Sequence, residues 1–477
     1  MYSSLILIPF FSVIVLNLPF RTLMKKSAFW VCIALSLIQI FAVLFSPTGS
    51  LGNLTEMFFS FLRVDLWIDN LSRIMLLCIG IVLFTAAWVQ KELSKDEERQ
   101  FNFMNVLLLL LAGLNGIVLV RDIFSLYVFL EITAVSSFIL IGFNKERDAF
   151  EAAFKYIILS VIATALMLTS IGLLLMIAGD TSFATISATL KTSPDKLLAM
   201  FAVAIFLCAA FIKGGVMPFH GWLPDAYSAS PASVSVILAG VVTKTVGVYT
   251  LIRIVYSVFG YSPALTLILL IVGTLSVVLG ALAALGQSDF KRMLAYSSIS
   301  QVGYIVLGLA TGSMLGLAGA VFHLFNHSIF KSLLFVNSAA VESSTGTRNM
   351  DNLAGLAKKM PVTGTTSILA SLSCAGIPPL AGFWSKLLII VALWMGKFYA
   401  FAIIAALASI LTLAYFLSLQ RRVFFGKLRE DLAHIKESGF GFLLSMTILA
   451  LITIGAGLGF PFILNSFLLP VKTISGG

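Results

Sequence analysis

The feature that most constrains this chain is a succession of apolar segments, each about twenty residues long, joined by hydrophilic connections of no more than about thirty. A bilayer core takes about 20 mostly apolar residues per helix. Fourteen segments meet that length, at approximately 4–20, 28–46, 70–89, 103–120, 122–142, 153–178, 198–218, 233–257, 263–286, 292–311, 314–341, 363–393, 398–419 and 440–463. Membrane strands would alternate apolar and polar residues, which these runs do not. The connections are too short to make a soluble domain. Residues 1–477 therefore read as one all-α polytopic membrane domain with about fourteen spans. The first segment has neither a basic leader nor a small-residue cleavage site and is read as a retained helix.

Composition agrees: 59% of the residues are hydrophobic and 11% charged, against about 25% charged in a soluble domain, which excludes an ordinary soluble enzyme. The four cysteines lie inside apolar segments without C-x-x-C spacing, so neither a disulfide framework nor a metal cluster is indicated. Lys and Arg number 31 against 21 acidic residues. In a soluble protein such an excess would suggest nucleic acid; here it reports topology. With the loops numbered from the N-terminus, the odd loops hold nineteen basic residues and the even loops seven. The positive-inside rule then puts both termini outside a prokaryotic cytoplasmic membrane, as an even span count requires.

Five cations remain inside spans, Lys213, Lys244, Arg253, Lys331 and Lys386, joined by one carboxylate, Glu131. A charge at a helix centre costs roughly 2.5–3.5 kcal/mol on insertion scales, so these residues face protein or water and mark a pathway by default. Arg253 is within a turn of its helix end, where snorkelling or a static ion pair is the alternative. His323, His327 and Lys331 follow one another at four-residue spacing and share an arc of about 80°, a stripe suited to carrying protons. An i, i+4 His pair also suits a metal, but no third ligand is in reach on that helix, and no metal is expected. Two spans are interrupted: Gly214, Gly215 and Pro218 follow Lys213, and Gly376, Pro378 and Pro379 precede Lys386. Broken helices carrying ionisable residues point to paired repeats around a mid-membrane ion site, with simple kinks as the alternative.

The runs K-G-G-V-M-P-F-H-G-W-L-P-D-A-Y (from Lys213), S-D-F-K-R-M-L-A-Y-S-S-I-S-Q-V-G-Y (from Ser288), H-L-F-N-H-S-I-F-K-S-L-L-F (from His323) and G-I-P-P-L-A-G-F-W-S-K (to Lys386) resemble the proton-conducting antiporter-like family. Its members are the large membrane subunits of respiratory complex I, their counterparts in membrane-bound hydrogenases, and D- and A-type subunits of Mrp antiporters. The resemblance runs from about residue 100 to 420. It implies two inverted five-helix repeats, 103–257 and 263–419, each a half-channel with one broken helix. It also implies that Glu131 pairs with Lys213, that Lys244 is central, and that His323, His327 and Lys331 lead on to Lys386. The H-S-I-F-K-S-L-L-F and T-G-T-R-N-M-D-N-L stretches look closest to hydrogenase-type and Mrp D-type subunits.

No phosphate-binding loop, dinucleotide fingerprint or iron–sulfur cysteine set is present in the sequence. No cofactor is therefore expected in this chain. Iron–sulfur, flavin or nickel–iron centres would belong to partner subunits. Two functional readings follow: a proton-translocating subunit of a redox-driven complex, of the NADH:quinone oxidoreductase or energy-converting hydrogenase kind, and a subunit of an Mrp-type sodium/proton antiporter without redox chemistry. Either way the expected partners are other membrane subunits, protons with sodium as the second candidate ion, and lipid, with no nucleic acid.

Overall fold

The computed structural model of the protein describes residues 3–18, 24–45, 49–53 and 65–469. Arg21, Arg63 and Lys472, which enter the loop charge balance, lie outside the described residues. Each expected span is helical. In chain order they are α1 (Ser4–Leu16), α2 (Ser27–Phe45), α3 (Asn70–Leu93), α4 (Glu97–Leu119), α5 (Ile123–Ile141), α6 (Arg147–Ala178), a short surface helix α7 (Phe183–Thr192) and α8 (Lys196–Gly214). There follow α9 (Leu223–Ala229), α10 (Ala232–Phe259), α11 (Pro263–Leu285), α12 (Phe290–Ala310), α13 (Met314–Thr345), α14 (Pro361–Ala375), α15 (Ala381–Met395), α16 (Tyr399–Phe424) and α17 (Phe440–Leu458). Among the described residues eleven helices are long and apolar enough to cross a bilayer unaided. The other expected spans fall short for separate reasons. Helix α1 has 13 residues, α13 carries the polar stripe, and the twelfth span is split into two 15-residue halves, α14 and α15. One two-stranded antiparallel ribbon, β1 (Gly49–Asn53) with β2 (Asp65–Ile68), adds to the helical fold and leads into α3.

Both breaks are built alike. Helix α8 ends in a left-handed Gly215 (φ +62°), with Val216 N–H donating to Phe211 O at 3.3 Å and Gly215 N–H to Ile212 O at 3.1 Å. Helix α14 ends in a left-handed Gly376 (φ +87°), with Ile377 N–H donating to Leu372 O at 3.0 Å and Gly376 N–H to Ser373 O at 3.0 Å. These are Schellman caps, which satisfy the carbonyls that a stopped helix leaves open. Other local structure recurs at a fixed distance of 167 residues. Asp122 and Asp289 (289 against 122) each cap a helix. Each bridges to a loop, at Ser182 and Asn349, and the 32-residue α6 and α13 each end in a left-handed glycine, Gly179 and Gly346.

Helix α10 is the axis of the bundle. An 18-residue window of it is completely buried, against 28% for α6, so α10 is enclosed by protein where α6 is largely exposed. It carries π-helical turns at Leu238–Val242, Lys244–Tyr249 and Val255–Phe259, a distortion that clusters at functional positions. It packs against the end of α8 so closely that a methyl on Gly247 would lie 2.2 Å from Gly214 Cα.

The polar loop contacts fall into two sets that match the alternation of the loops. On the basic face, Lys25 pairs with Glu98, Asp225 with both Lys155 and Arg292, and Arg422 with Asp351. On the opposite face Asp69 caps α3, and both of its oxygens are taken by Arg253 at the end of α10, at 2.6 and 2.9 Å. Arg121 adds a 2.7 Å contact. Burial by itself would raise the Asp69 carboxyl, but the two guanidiniums hold it well below the usual carboxylate range. Arg253 is thus held in a static ion pair.

Removing one member of a buried ion pair typically costs about 3–5 kcal/mol because the other is stranded. Asp69→Asn should lower the thermal midpoint in detergent substantially, and an unchanged midpoint would show that the triad contributes nothing. In wild type the Asp69 contribution should be complete above about pH 4–5 and fall away on acidification, since its folded value lies below the unfolded value of about 3.9.

Candidate functional site

Glu131 projects from α5 toward α6 and α8. Lys213 Nζ lies 3.4 Å from its Oε1, and Thr164 of α6 donates to the same oxygen at 2.6 Å. The lysine also reaches Ser160 and Thr164 at 3.4 Å each. Lys213 is held here because α8 stops two residues later, and Trp222, beyond the break, donates its indole N–H to Ile212 O at 2.9 Å. A cavity of about 10 Å³, close to what one water needs, is lined by Tyr156, Ser160, Lys213, Trp222, Thr243 and Val246. It lies between the Glu131–Lys213 pair and the α10 turn that carries Lys244.

Lys244 is completely buried, and its Nζ has no hydrogen-bond partner among the described residues. It lies 6.0 Å from the centre of the Tyr227 ring, whose hydroxyl is 2.6 Å from Thr243 Oγ1. The α10 segment that begins at Lys244 packs against α13, the helix that carries Lys331. Lys331 itself donates to Leu294 O at 3.3 Å and to Ser297 Oγ. One turn along, His327 has both ring nitrogens unpartnered among the described residues, and its ring stacks 6.2 Å from that of His323. His323 Nδ1 is 2.9 Å from Ser385 Oγ, one residue before Lys386, while its Nε2 is open. Lys386 closes the row, donating to Ala375 O at 3.4 Å and lying 4.4 Å from the Tyr304 ring centre. Its acceptor is a carbonyl at the α14 break.

All seven residues singled out from the sequence are thus brought into one internal row: Glu131 and Lys213, then Lys244, then Lys331, His327 and His323, then Lys386. Among the described residues no carboxylate forms an ion pair with Lys244, Lys331 or Lys386. Sequence reasoning missed Thr164, Ser160, Thr243, Tyr227 and Ser385. Only Ser385, next to a singled-out lysine, carried a signal. Chemically, the row consists of a carboxylate, amines and imidazoles flanked by hydroxyls, groups that give and take protons without redox chemistry.

This fold and row define a polytopic membrane protein with a row of ionisable residues in its interior. The model of the family described as "NADH:quinone oxidoreductase/Mrp antiporter, TM" matches residues 120–412, and the chain belongs to that family. It is 37% identical over 326 residues to NADH-quinone oxidoreductase subunit N of Desulforudis audaxviator, covering 68% of this chain and 65% of that one, just under two thirds. It is 32% identical over 371 residues to the D-type Na(+)/H(+) antiporter subunit of Alkalihalophilus pseudofirmus, covering 77% and 75%. The structure of the Mrp complex from Dietzia sp. superposes with a TM-score of 0.91 at 24% identity, covering 100% and 97% of the two chains. The family is one of membrane antiporter-like subunits rather than cofactor-binding domains. Its structural neighbours sit in multi-subunit membrane complexes.

If Glu131 and Lys213 act as a pair, removing both should destabilise less than the sum of the single losses. Thermal midpoints of Glu131→Gln, Lys213→Met and the double variant should give a coupling of about 0.5–3 kcal/mol, whereas additive effects would show that the contact carries no energy.

Proposed function

We propose that the chain is an ion-translocating antiporter-like subunit of a larger membrane complex, moving protons, with sodium as the second candidate, along Glu131, Lys213, Lys244, Lys331, His327, His323 and Lys386. The observation that carries this reading is the row itself. Buried ionisable groups are expensive in a bilayer, and here they lie in one chain instead of being scattered. The segments 103–257 and 263–419 act as two half-channels meeting at Lys244, a division supported by the 167-residue recurrence of caps, bridges and long helices. Lysine suits the centre because it can exist as a neutral amine, whereas arginine keeps its charge.

The relatives fit a redox-driven complex and an Mrp-type antiporter equally well. In the first case iron–sulfur, flavin or nickel–iron centres belong to partner subunits; in the second there are none. Co-purification separates the two, since a hydrogenase or quinone-reducing arm excludes a pure antiporter. We place the chain in a prokaryotic cytoplasmic membrane with both termini outside, on the strength of the loop charge balance.

Lys244→Arg keeps the charge and approximate length but cannot release a proton. In sealed vesicles containing the assembled complex it should suppress proton flux by about a hundredfold or more, the range for loss of a positioned proton carrier. Wild-type flux in that variant would remove Lys244 from the path.

A further inference from the structure

The row needs a place where protons leave water: six of its seven members are buried, and Glu131, about one third exposed, stands at one end of the row and does not line the cavity on the basic face. That cavity, of about 330 Å³, opens among the ends of α3, α4, α10, α12 and α13. Both signs of charge line it, with Arg99, Glu146, Lys291, Glu342 and Arg348 around its wall. Two helices that end in this cavity carry the central amines: α10, which begins there at Ala232, holds Lys244, and α13, which ends there, holds Lys331.

Lys291 is the unusual member. Its side chain is 3% exposed although it is the second residue of α12, and its Nζ is 2.8 Å from Glu342 Oε2 and 3.4 Å from Ser230 O. Glu342 is about one third exposed, so although both residues line the cavity the carboxylate is the open end of the pair. Glu342 also continues the polar stripe of α13. At 100° per residue Lys331, Ser338 and Glu342 lie within about 40° of arc, over about 16 Å of helix. Ser338 is buried and its hydroxyl has no partner among the described residues. Between Ser338 and Lys331, Phe335 packs edge-on against Tyr227 at 5.7 Å, the same tyrosine whose ring flanks Lys244.

We propose that Glu342 is the residue at which protons enter from the basic face, with Lys291 as the latch that holds its carboxylate and Phe335 and Tyr227 as the apolar barrier between it and the central amines. This rests on the pathway reading and names its mouth. A proton arriving from the cavity is taken by the Glu342 carboxylate, its hold on Lys291 loosens because the charge is gone, and Ser338 is the next hydroxyl on the way to Lys331. No bond other than O–H and N–H is made or broken.

Access can be read without transport. Ser338→Cys is placed in a background whose four native cysteines are alanine, the whole complex is assembled, and sealed vesicles of each orientation are treated with a small cationic methanethiosulfonate. Labelling should come only from the face bearing the basic loops, and adding Glu342→Gln should raise its rate severalfold by releasing the latch. In the native-cysteine complex Glu342→Gln should cut proton flux about tenfold or more, as for loss of a proton-transfer group, with Glu342→Asp restoring part of it. Labelling from the opposite face, a rate indifferent to Glu342→Gln, or wild-type flux in Glu342→Gln would each overturn the assignment. Failure of the pathway reading shows separately, as wild-type flux in Lys244→Arg.

Discussion

The structure depends on one constraint: inside a hydrocarbon layer no backbone group or charge can be left to bulk water. The two helix breaks violate that constraint locally and are repaired locally. Schellman caps take up the carbonyls of Phe211, Ile212, Leu372 and Ser373, and a side chain from beyond each break adds a donor. Trp222 reaches back to Ile212 O as a second donor, and Lys386 takes Ala375 O. The repairs have chemical results. At the first break a lysine is turned toward a carboxylate; at the second a lysine is itself the repairing donor, so its position is fixed by the backbone it serves.

The 167-residue recurrence makes the two halves comparable residue by residue. Tyr156, Ser160 and Thr164, which surround Lys213, stand that distance before His323, His327 and Lys331. Glu131 stands the same distance before Ser298. At these positions one half therefore has a paired carboxylate and amine in a hydroxyl-rich setting, and the other has an amine and imidazoles with no acid among them. Equivalent positions hold opposite solutions to burying charge, joined at α10.

Much of this was legible in the sequence because its signals are local. Apolar length gave the spans, Gly and Pro gave the breaks at 214–218 and 376–379, and four-residue spacing gave the α13 stripe. The partners were not legible. Asp69 is 184 residues from the Arg253 it neutralises, and Thr164 looks like any threonine in an apolar helix. Helix ends were also set by tertiary structure. Helices α6 and α13 run beyond their apolar cores, to Arg147 and Thr345, and Glu342, in the added turns of α13, pairs with Lys291 of α12. The β1–β2 ribbon carries no strand pattern strong enough to stand out beside a membrane span.

Helix α10 has a consequence for reading this chain against others. A π turn takes up about one residue more than an α turn, so side chains beyond it are rotated by roughly 100° from where an α-helical wheel would put them. With a π segment on each side of Thr243, a wheel drawn from Ala232 assigns Lys244 and Arg253 to directions they do not occupy. The azimuth that sets Lys244 between Tyr227 and Lys331 is therefore a property of helix winding as much as of sequence position. A single-residue insertion or deletion between 238 and 249 would redirect the amine without changing any residue that touches it.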